Sequence, residues 1–239
     1  MAELVTTETR GDVAIVRIDR PPANALDLEL LAAGRQAAAS LRDADPAAVV
    51  IVGRDGFFSA GVDLKAVPQL DDAGQRAMVE GINRIFLDWY SFPRPVVCAV
   101  NGHAIAGGMI LALCGDYRVC SRGDGKFGLT EVKVDVGYPV VAMAIVRAEL
   151  TPASARVLAL GGELIGPEAA RELGLVDELR DPDDVLDRAI EVATDYAALP
   201  RVAYARVKDQ LRGETIRAMR KVVDEGTDPL LARWIRDVG

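Results

Sequence analysis

Apolar and polar residues alternate over short stretches in the first half of the chain, and segments of helical periodicity separate these stretches. Alternation and short continuous apolar runs predict strands, whereas apolar residues three and four positions apart predict helices. The predicted strands cover residues 4–9, 13–19, 49–52 and 95–100, with short extended pieces at 117–120 and 126–128. The predicted helices cover residues 28–41 (with Asp27 as N-cap), 71–90 and 107–113. Strands that alternate with helices indicate an α/β fold with crossover connections.

From residue 139 onward the pattern is almost wholly helical. Thr151 before a proline is a helix start signal, Gly166 before a proline is another, and Gly174 is a stop signal. Further helices are predicted at residues 181–199, 202–211, 215–225 and 229–237. We therefore expect a core over residues 1–190 and a C-terminal helical region over residues 191–239.

Composition and charge narrow the class of protein. Of the 239 residues 50% are hydrophobic and only 5% are aromatic, so the core consists mainly of aliphatic side chains. The net charge of −8 argues against nucleic acid and against an anionic membrane surface as partners. The three cysteines are odd in number and form no C-x-x-C pair, which argues against a disulfide framework and a zinc site. The N-terminus lacks the pattern of a signal peptide, and no apolar stretch is long enough to span a membrane.

Glycine-rich turns follow two of the predicted strands. The first, GFFSAGVDL at residues 56–64, follows strand 49–52, and the second, AVNGHAIAGG at residues 99–108, leads directly into the helix at 107. The first N–H groups of a helix have no intrahelical acceptor, so they can hold a phosphate or an oxyanion that forms during a reaction. Two such turns at strand ends predict backbone donors that converge on one point.

In order along the chain, these motifs resemble the enoyl-CoA hydratase/isomerase family, the crotonase superfamily. The motifs are RPPANAL at 20–26, the two glycine-rich turns, CGDYR at 114–118, FGLTE at 127–131 and EAARELGLV at 168–176. The resemblance implies a spiral of β-β-α units followed by helices that mediate trimerisation. It also implies a cytoplasmic enzyme of fatty acid metabolism that acts on an acyl-CoA thioester. We expect a homotrimer or a dimer of trimers, with no metal and no cofactor beyond the coenzyme A of the substrate.

The resemblance also assigns the residues of the site. Two backbone N–H groups, which we expect to be those of Ala60 and Gly107, hold the thioester oxygen as it becomes an enolate. Glu131 occupies the position of one of the two glutamates of family hydratases, whereas Ile110 replaces the other. The residues expected around the substrate are Ser59, Ala60, Gly61, Val62, Asp63, Leu64, Lys65, Gly107, Gly108, Ile110 and Tyr138.

The loss of one acid favours a particular reaction. Addition of water to a double bond requires both activation of the water and delivery of a proton, and two carboxylates divide these tasks. A double-bond shift needs a single base, and the chain is most similar to the single-glutamate Δ3,Δ2-enoyl-CoA isomerase branch. The alternatives are hydration, thioester hydrolysis or decarboxylation with a different second acid, or acyl-CoA binding without catalysis, because a fold does not determine a function.

Several other polar residues near the motifs are candidates for a catalytic, structural or binding role. Asp135 lies four residues after Glu131, and it is the best candidate for a substitute acid if that segment is helical. His103, the only histidine, is expected to pack or cap rather than to catalyse. We expect Asp116 to be structural, Asp63 to fix its loop through bonds to backbone N–H groups, and Lys65 to meet a phosphate of coenzyme A or solvent.

Overall fold

The computed structural model describes residues 3–232 and residue 234. The strands are β1 (Val5–Arg10), β2 (Val13–Ile18), β3 (Ala48–Val52), β4 (Gly56–Ser59), β5 (Val96–Val100), β6 (Gly102–Ile105), β7 (Tyr117–Ser121), β8 (Phe127–Gly128) and β9 (Glu178–Arg180). The helices are α1 (Leu28–Ala44), α2 (Asp72–Tyr90), α3 (Gly107–Leu113), α4 (Val140–Glu149), α5 (Pro152–Gly161), α6 (Pro167–Glu172), α7 (Val185–Ala197) and α8 (Arg201–Glu225). Short 3₁₀ turns lie at Val67–Gln69, Glu131–Val134, Pro182–Asp184 and Pro229–Leu231.

Two sheets form the core. The larger has the strand order β1-β2-β3-β5-β7-β9, and the smaller has the order β4-β6-β8. Apart from the antiparallel β1–β2 hairpin, the pairings within both sheets are parallel. The chain passes from β3 to β4, from β5 to β6 and from β7 to β8, so that each pass crosses from the large sheet to the small one. Helices α2, α3 and α4 follow these passes, and the fold is therefore a spiral of β-β-α units, as predicted.

The central strands of the large sheet, such as β3 and β5, are buried on both faces. Along β3, Val49 and Ile51 pack into the main core with α1, α2 and the small sheet. The alternate residues Val50 and Val52 face a second core that includes Ala189 of α7. Successive side chains of β3 thus point to opposite cores. Because a parallel strand covered on both sides has no polar face, the sequence of β3 is a continuous apolar run. The boundary predicted at residue 190 falls inside α7, which covers one of these faces.

Helix ends follow the predicted local chemistry. The Asp27 side chain accepts a hydrogen bond from the N–H of Leu30 and caps α1, and Thr151 caps α5 in the same way. Gly174 adopts a left-handed conformation with φ of 77°, two residues after the end of α6. Asp27 and Thr151 lie where a short side chain can satisfy the free N–H groups of a first helical turn.

Several elements differ from the sequence-based expectation. Residues Gly102–Ile105 were predicted as part of a turn but form the second strand of a unit, paired with β4 and β8. The two helices predicted at 202–211 and 215–225 are one continuous helix, α8, which contains Gly213. Buried Lys208 and Arg212 bind the core directly before this glycine, and these contacts outweigh its cost of about 1 kcal/mol in a helix interior. Of the helix predicted at 229–237, the structure shows a 3₁₀ turn at its start, and most of the rest lies outside the described residues.

A buried ion cluster fastens α8 to the core. Asp116 lies 2.6 Å from Nζ of Lys208 and 2.9 Å from Nη1 of Arg212. Arg212 also lies 3.1 Å from Glu149 at the end of α4. Asp116 therefore has the structural role that was predicted for it. Over the described residues, no helix is long and apolar enough to cross a membrane.

Candidate active site

The ends of β4 and β6 lie side by side because these strands are parallel neighbours. The loop after β4 therefore meets the start of α3. Gly61 has φ of 79°, and a Cβ atom added to it would lie 2.7 Å from the carbonyl oxygen of Ile105 and 3.0 Å from the nitrogen of Gly107. A Cβ atom at Gly108 would lie 2.1 Å from the carbonyl oxygen of Ser59. Only glycine allows the two backbone segments to approach so closely.

The hydrogen bonds of this loop show which N–H groups are free. The N–H of Ala60 donates to the carbonyl oxygen of Ala23 at 3.0 Å. The N–H of Gly61 donates to Oγ of Ser59, and that of Asp63 donates to the carbonyl oxygen of Leu26. Between them, the N–H of Val62 has no acceptor among the described residues.

This pattern corrects one assignment made from the sequence. The N–H of Ala60, predicted as an oxyanion donor, is already engaged by the backbone of residue 23. Gly107 is the first residue of α3, so its N–H has no intrahelical acceptor. Free donors at this junction therefore include those of Val62 and Gly107.

Asn24 holds the loop after β4 in place through hydrogen bonds. Its side chain is fully buried, and its Nδ2 donates to the carbonyl oxygens of Ile18 and Phe58 at 3.0 and 3.1 Å. The backbone oxygen of Asn24 accepts a hydrogen bond from Oγ of Ser59 at 2.7 Å. Asn24 thus ties the end of β2 to the end of β4, a role that was not recognised from the sequence, although the residue lies within the RPPANAL motif.

A cavity of about 180 Å³ opens beside these donors. Its wall is apolar, apart from one carboxyl group and one hydroxyl group. The wall residues are Ala60, Val62, Leu64, Ile82, Phe86, Ile105, Ala106, Gly107, Ile110, Thr130, Glu131, Val134, Val136, Gly137, Pro139, Ala142 and Trp234.

Glu131 is the one ionisable side chain in this wall, as far as the chain is described. It begins the 3₁₀ turn after β8, and it is 8% exposed. Burial raises the pKa of its carboxyl group above the ordinary value. The Tyr138 hydroxyl lies close enough to oppose this rise, although neither that hydroxyl nor Oε2 of Glu131 makes a hydrogen bond of regular geometry.

Neither Asp135 nor His103, the polar residues considered as a second acid, lies in the cavity wall. Ile110, which stands in place of that acid, lies in the wall and is 1% exposed. Asp135 adopts a left-handed conformation at the end of the 3₁₀ turn and is exposed, so it does not share a buried face with Glu131. Nδ1 of His103 accepts a hydrogen bond from the N–H of Lys126, and its ring packs on Phe57. His103 is therefore a packed residue, as predicted.

Comparison with known proteins identifies the family. The sequence profile of the enoyl-CoA hydratase/isomerase family matches residues 8–228. The chain belongs to the enoyl-CoA hydratase/isomerase family. It is 36% identical to a putative enoyl-CoA hydratase of Thermus thermophilus over 194 aligned residues. The aligned residues make up 79% of this chain and 76% of that relative.

Solved structures of the family show the same fold. The human mitochondrial Δ3,Δ2-enoyl-CoA isomerase superposes with a TM-score of 0.87 at 27% identity, over 93% of this chain and 88% of the human one. A mycobacterial enoyl-CoA isomerase superposes with the same TM-score at 30% identity, over 94% of this chain and 97% of the other. Enoyl-CoA hydratase/isomerase family chemistry is thus supported, while the names of the relatives include both reactions.

Of the eleven residues that the resemblance places around the substrate, five line the cavity: Ala60, Val62, Leu64, Gly107 and Ile110. Glu131, the expected base, lines it as well. The others lie behind the wall or beside it: Ser59, Gly61, Asp63, Lys65, Gly108 and Tyr138.

The residues outside the wall have identifiable structural contacts. Oδ1 of Asp63 accepts hydrogen bonds from the N–H groups of Lys65 and Ala66, each at 3.1 Å, which confirms its predicted role in the loop. Oδ2 of Asp63 pairs with Arg20 at 3.2 Å. Lys65 is exposed.

Two sources of wall residues were missed in the sequence. Ile82 and Phe86 come from α2, where their helical spacing indicates only a buried face. Trp234 comes from the C-terminal segment. The tryptophan is visible in the sequence, but no local pattern there indicates where its side chain packs.

Proposed function

We propose that this protein shifts the double bond of an enoyl-CoA, with Glu131 as the single proton carrier. The observation that carries this proposal is the solitary carboxyl group of Glu131 in an apolar wall beside two free backbone donors. The similarity to the human mitochondrial Δ3,Δ2-enoyl-CoA isomerase supports the same reaction.

The reaction begins with proton removal from C2 of a 3-enoyl-CoA. The electron pair moves toward the thioester oxygen, and the resulting dienolate is stabilised by the N–H groups of Val62 and Gly107. Fixed donors of this kind are worth about 2.7–4 kcal/mol each in comparable oxyanion holes. The protonated Glu131 then returns the proton to C4, which gives the 2-enoyl-CoA at unchanged mass.

The environment of Glu131 suits a base that must hold and return one proton. Burial raises its pKa, so the carboxylate is a stronger base than an exposed glutamate. Ile110 occupies the position where a second acid would orient a water molecule, and its side chain leaves no polar group there. The apolar wall thereby protects the dienolate from hydration.

We propose that coenzyme A enters only as part of the substrate and that no metal or further cofactor takes part. The trimeric or hexameric assembly and the cytoplasmic location remain predictions from the family resemblance.

The test is a product assay with a 3-enoyl-CoA and, separately, with a 2-enoyl-CoA. Double-bond movement at unchanged mass supports the proposal, whereas gain of one water from the 2-enoyl substrate indicates a hydratase. Glu131→Gln preserves the shape of the side chain and is expected to lower kcat by about 10²–10⁴-fold, with little change in acyl-CoA affinity. Asp135→Asn is the matched control, because this exposed carboxylate lies outside the wall. Isomerisation at an undiminished rate in Glu131→Gln would overturn the one-base mechanism.

A further inference from the structure

The C-terminal segment supplies the largest side chain of the cavity wall. Trp234 is 6% exposed, although it follows the last 3₁₀ turn rather than belonging to a helix. Its Nε1 donates a hydrogen bond to the carbonyl oxygen of Gly137 at 3.2 Å. Gly137 also lies in the wall, so the indole is attached directly to the cavity that it helps to close.

A buried carboxylate holds this segment in place. Asp228 is 4% exposed, and its Oδ2 accepts hydrogen bonds from Nδ2 of Asn83 at 2.8 Å and from the N–H of Val140 at 2.7 Å. Oδ1 accepts from the N–H of Leu230 at 2.9 Å. One side chain therefore joins the C-terminal segment to α2 and to the first turn of α4.

The elements joined at Asp228 are those that build the cavity. Asn83 of α2 is adjacent to Ile82 in the wall, and its Oδ1 accepts a hydrogen bond from the N–H of Val141, which is adjacent to Ala142 in the wall. Leu230 lies against Gly137, where an added Cβ atom would be 3.6 Å from its nearest methyl group. The C-terminal segment is therefore bound to the elements of the wall at two points, through Asp228 and through Trp234.

We propose that Trp234, held by Asp228, limits the length of the acyl group that the cavity accepts. This inference rests on the proposed function, because it takes the cavity as the acyl site of an enoyl-CoA. The indole occupies space that is continuous with the cavity, so a smaller side chain lengthens the space open to the acyl group. Each methylene group that becomes newly buried is expected to raise relative affinity roughly fourfold.

The experiment compares the chain-length profiles of the intact enzyme and its variants. Isomerisation rates are measured with 3-enoyl-CoA substrates from C4 to C12, and dissociation constants are measured by calorimetry with saturated acyl-CoA esters of the same lengths. Trp234→Ala is expected to move both optima to longer chains, with at least a tenfold gain for long over short esters. Trp234→Phe keeps an aromatic wall but loses the bond to Gly137, and it is expected to retain most of the native preference.

The anchoring role of Asp228 has its own test. Asp228→Asn removes the charge from the buried junction, and it is expected to broaden the profile toward longer chains with Trp234 unchanged. Asp224→Asn is the matched control, because Asp224 is exposed in the same part of the chain. Circular dichroism establishes that each variant is folded, and Trp234→Leu replaces the alanine variant if that one is not.

The outcomes separate the two proposals. Active native enzyme with an unchanged profile in the folded Trp234→Ala or Trp234→Leu variant overturns the inference about Trp234. Native protein that binds acyl-CoA but does not isomerise overturns the proposed function. In that case, a binding profile that still shifts to longer chains in Trp234→Ala supports Trp234 as the length-limiting residue.

Discussion

The ion cluster beneath α8 makes a quantitative prediction about stability. The Arg212 guanidinium group pairs with Asp116 and Glu149, and it donates to the carbonyl oxygens of Cys114 and Gly115 at 3.1 and 3.0 Å. Replacement by methionine keeps much of the apolar stem but removes every one of these contacts. Removal of one partner from a buried pair typically costs about 3–5 kcal/mol, because the other charge remains buried without compensation.

The remaining contacts of the two carboxylates keep this loss within that range. Asp116 retains Lys208 at 2.6 Å and the N–H of Val96 at 2.9 Å. Glu149 retains a hydrogen bond from the hydroxyl group of Tyr90, at 2.8 Å. We therefore expect Arg212→Met to lower the free energy of unfolding by about 3–5 kcal/mol, with Glu149 as the less compensated charge.

Urea-induced unfolding, followed by circular dichroism at one protein concentration, measures this loss. Arg76→Met is the matched control, because Arg76 pairs with Glu80 one helical turn away on an exposed face. That pair is expected to contribute only about 0.3–0.5 kcal/mol and to weaken as salt is added. A loss in Arg212→Met that is no larger than the loss in the control would refute the view that the cluster is desolvated and essential.

Three further substitutions test the active site. Ala106 has a backbone φ of 51°, which strains a residue with a Cβ atom. Ala106→Gly should remove this strain, and thermal unfolding should show a stabilisation of about 1 kcal/mol; a less stable variant would contradict this. Tyr138→Phe removes a contact that opposes the effect of burial on Glu131, so the pKa of Glu131 should rise further. The acid limb of the pH profile of kcat/KM should then move to higher pH. An unmoved limb would argue against an influence of Tyr138 on Glu131. Ile110→Glu places a carboxyl group at a position that is 1% exposed, so the free energy of unfolding in urea should fall by roughly 1–3 kcal/mol. Mass spectrometry is expected to detect water addition to a 2-enoyl-CoA by this variant. Unchanged stability would show that the new side chain escapes burial.

Several features depend on neighbouring residues in the sequence and were predictable from it. Asp27 and Thr151 cap their helices because a short polar side chain before a first turn reaches the free N–H groups of that turn. The alternating and continuous apolar runs predicted the strands of the large sheet. The motif around Glu131 predicted its position in the site through the family resemblance.

Other features depend on contacts between distant parts of the chain. The free donor after β4 belongs to Val62 rather than Ala60, because the backbone of residue 23 reaches the N–H of Ala60. The continuity of α8 depends on the charged partners that the core offers to Lys208 and Arg212. Short-range patterns contain none of these partners, so propensity alone favoured a break at Gly213.

The sequence by itself determined the alternation of strands and helices, the helix caps, the family and the single glutamate, since local patterns and ordered motifs carry each of these. Tertiary structure decided which N–H groups are free and which side chains form the cavity wall, Trp234 among them. The physical reason is that a donor is free, and a side chain becomes part of a wall, only through what the folded chain places against it.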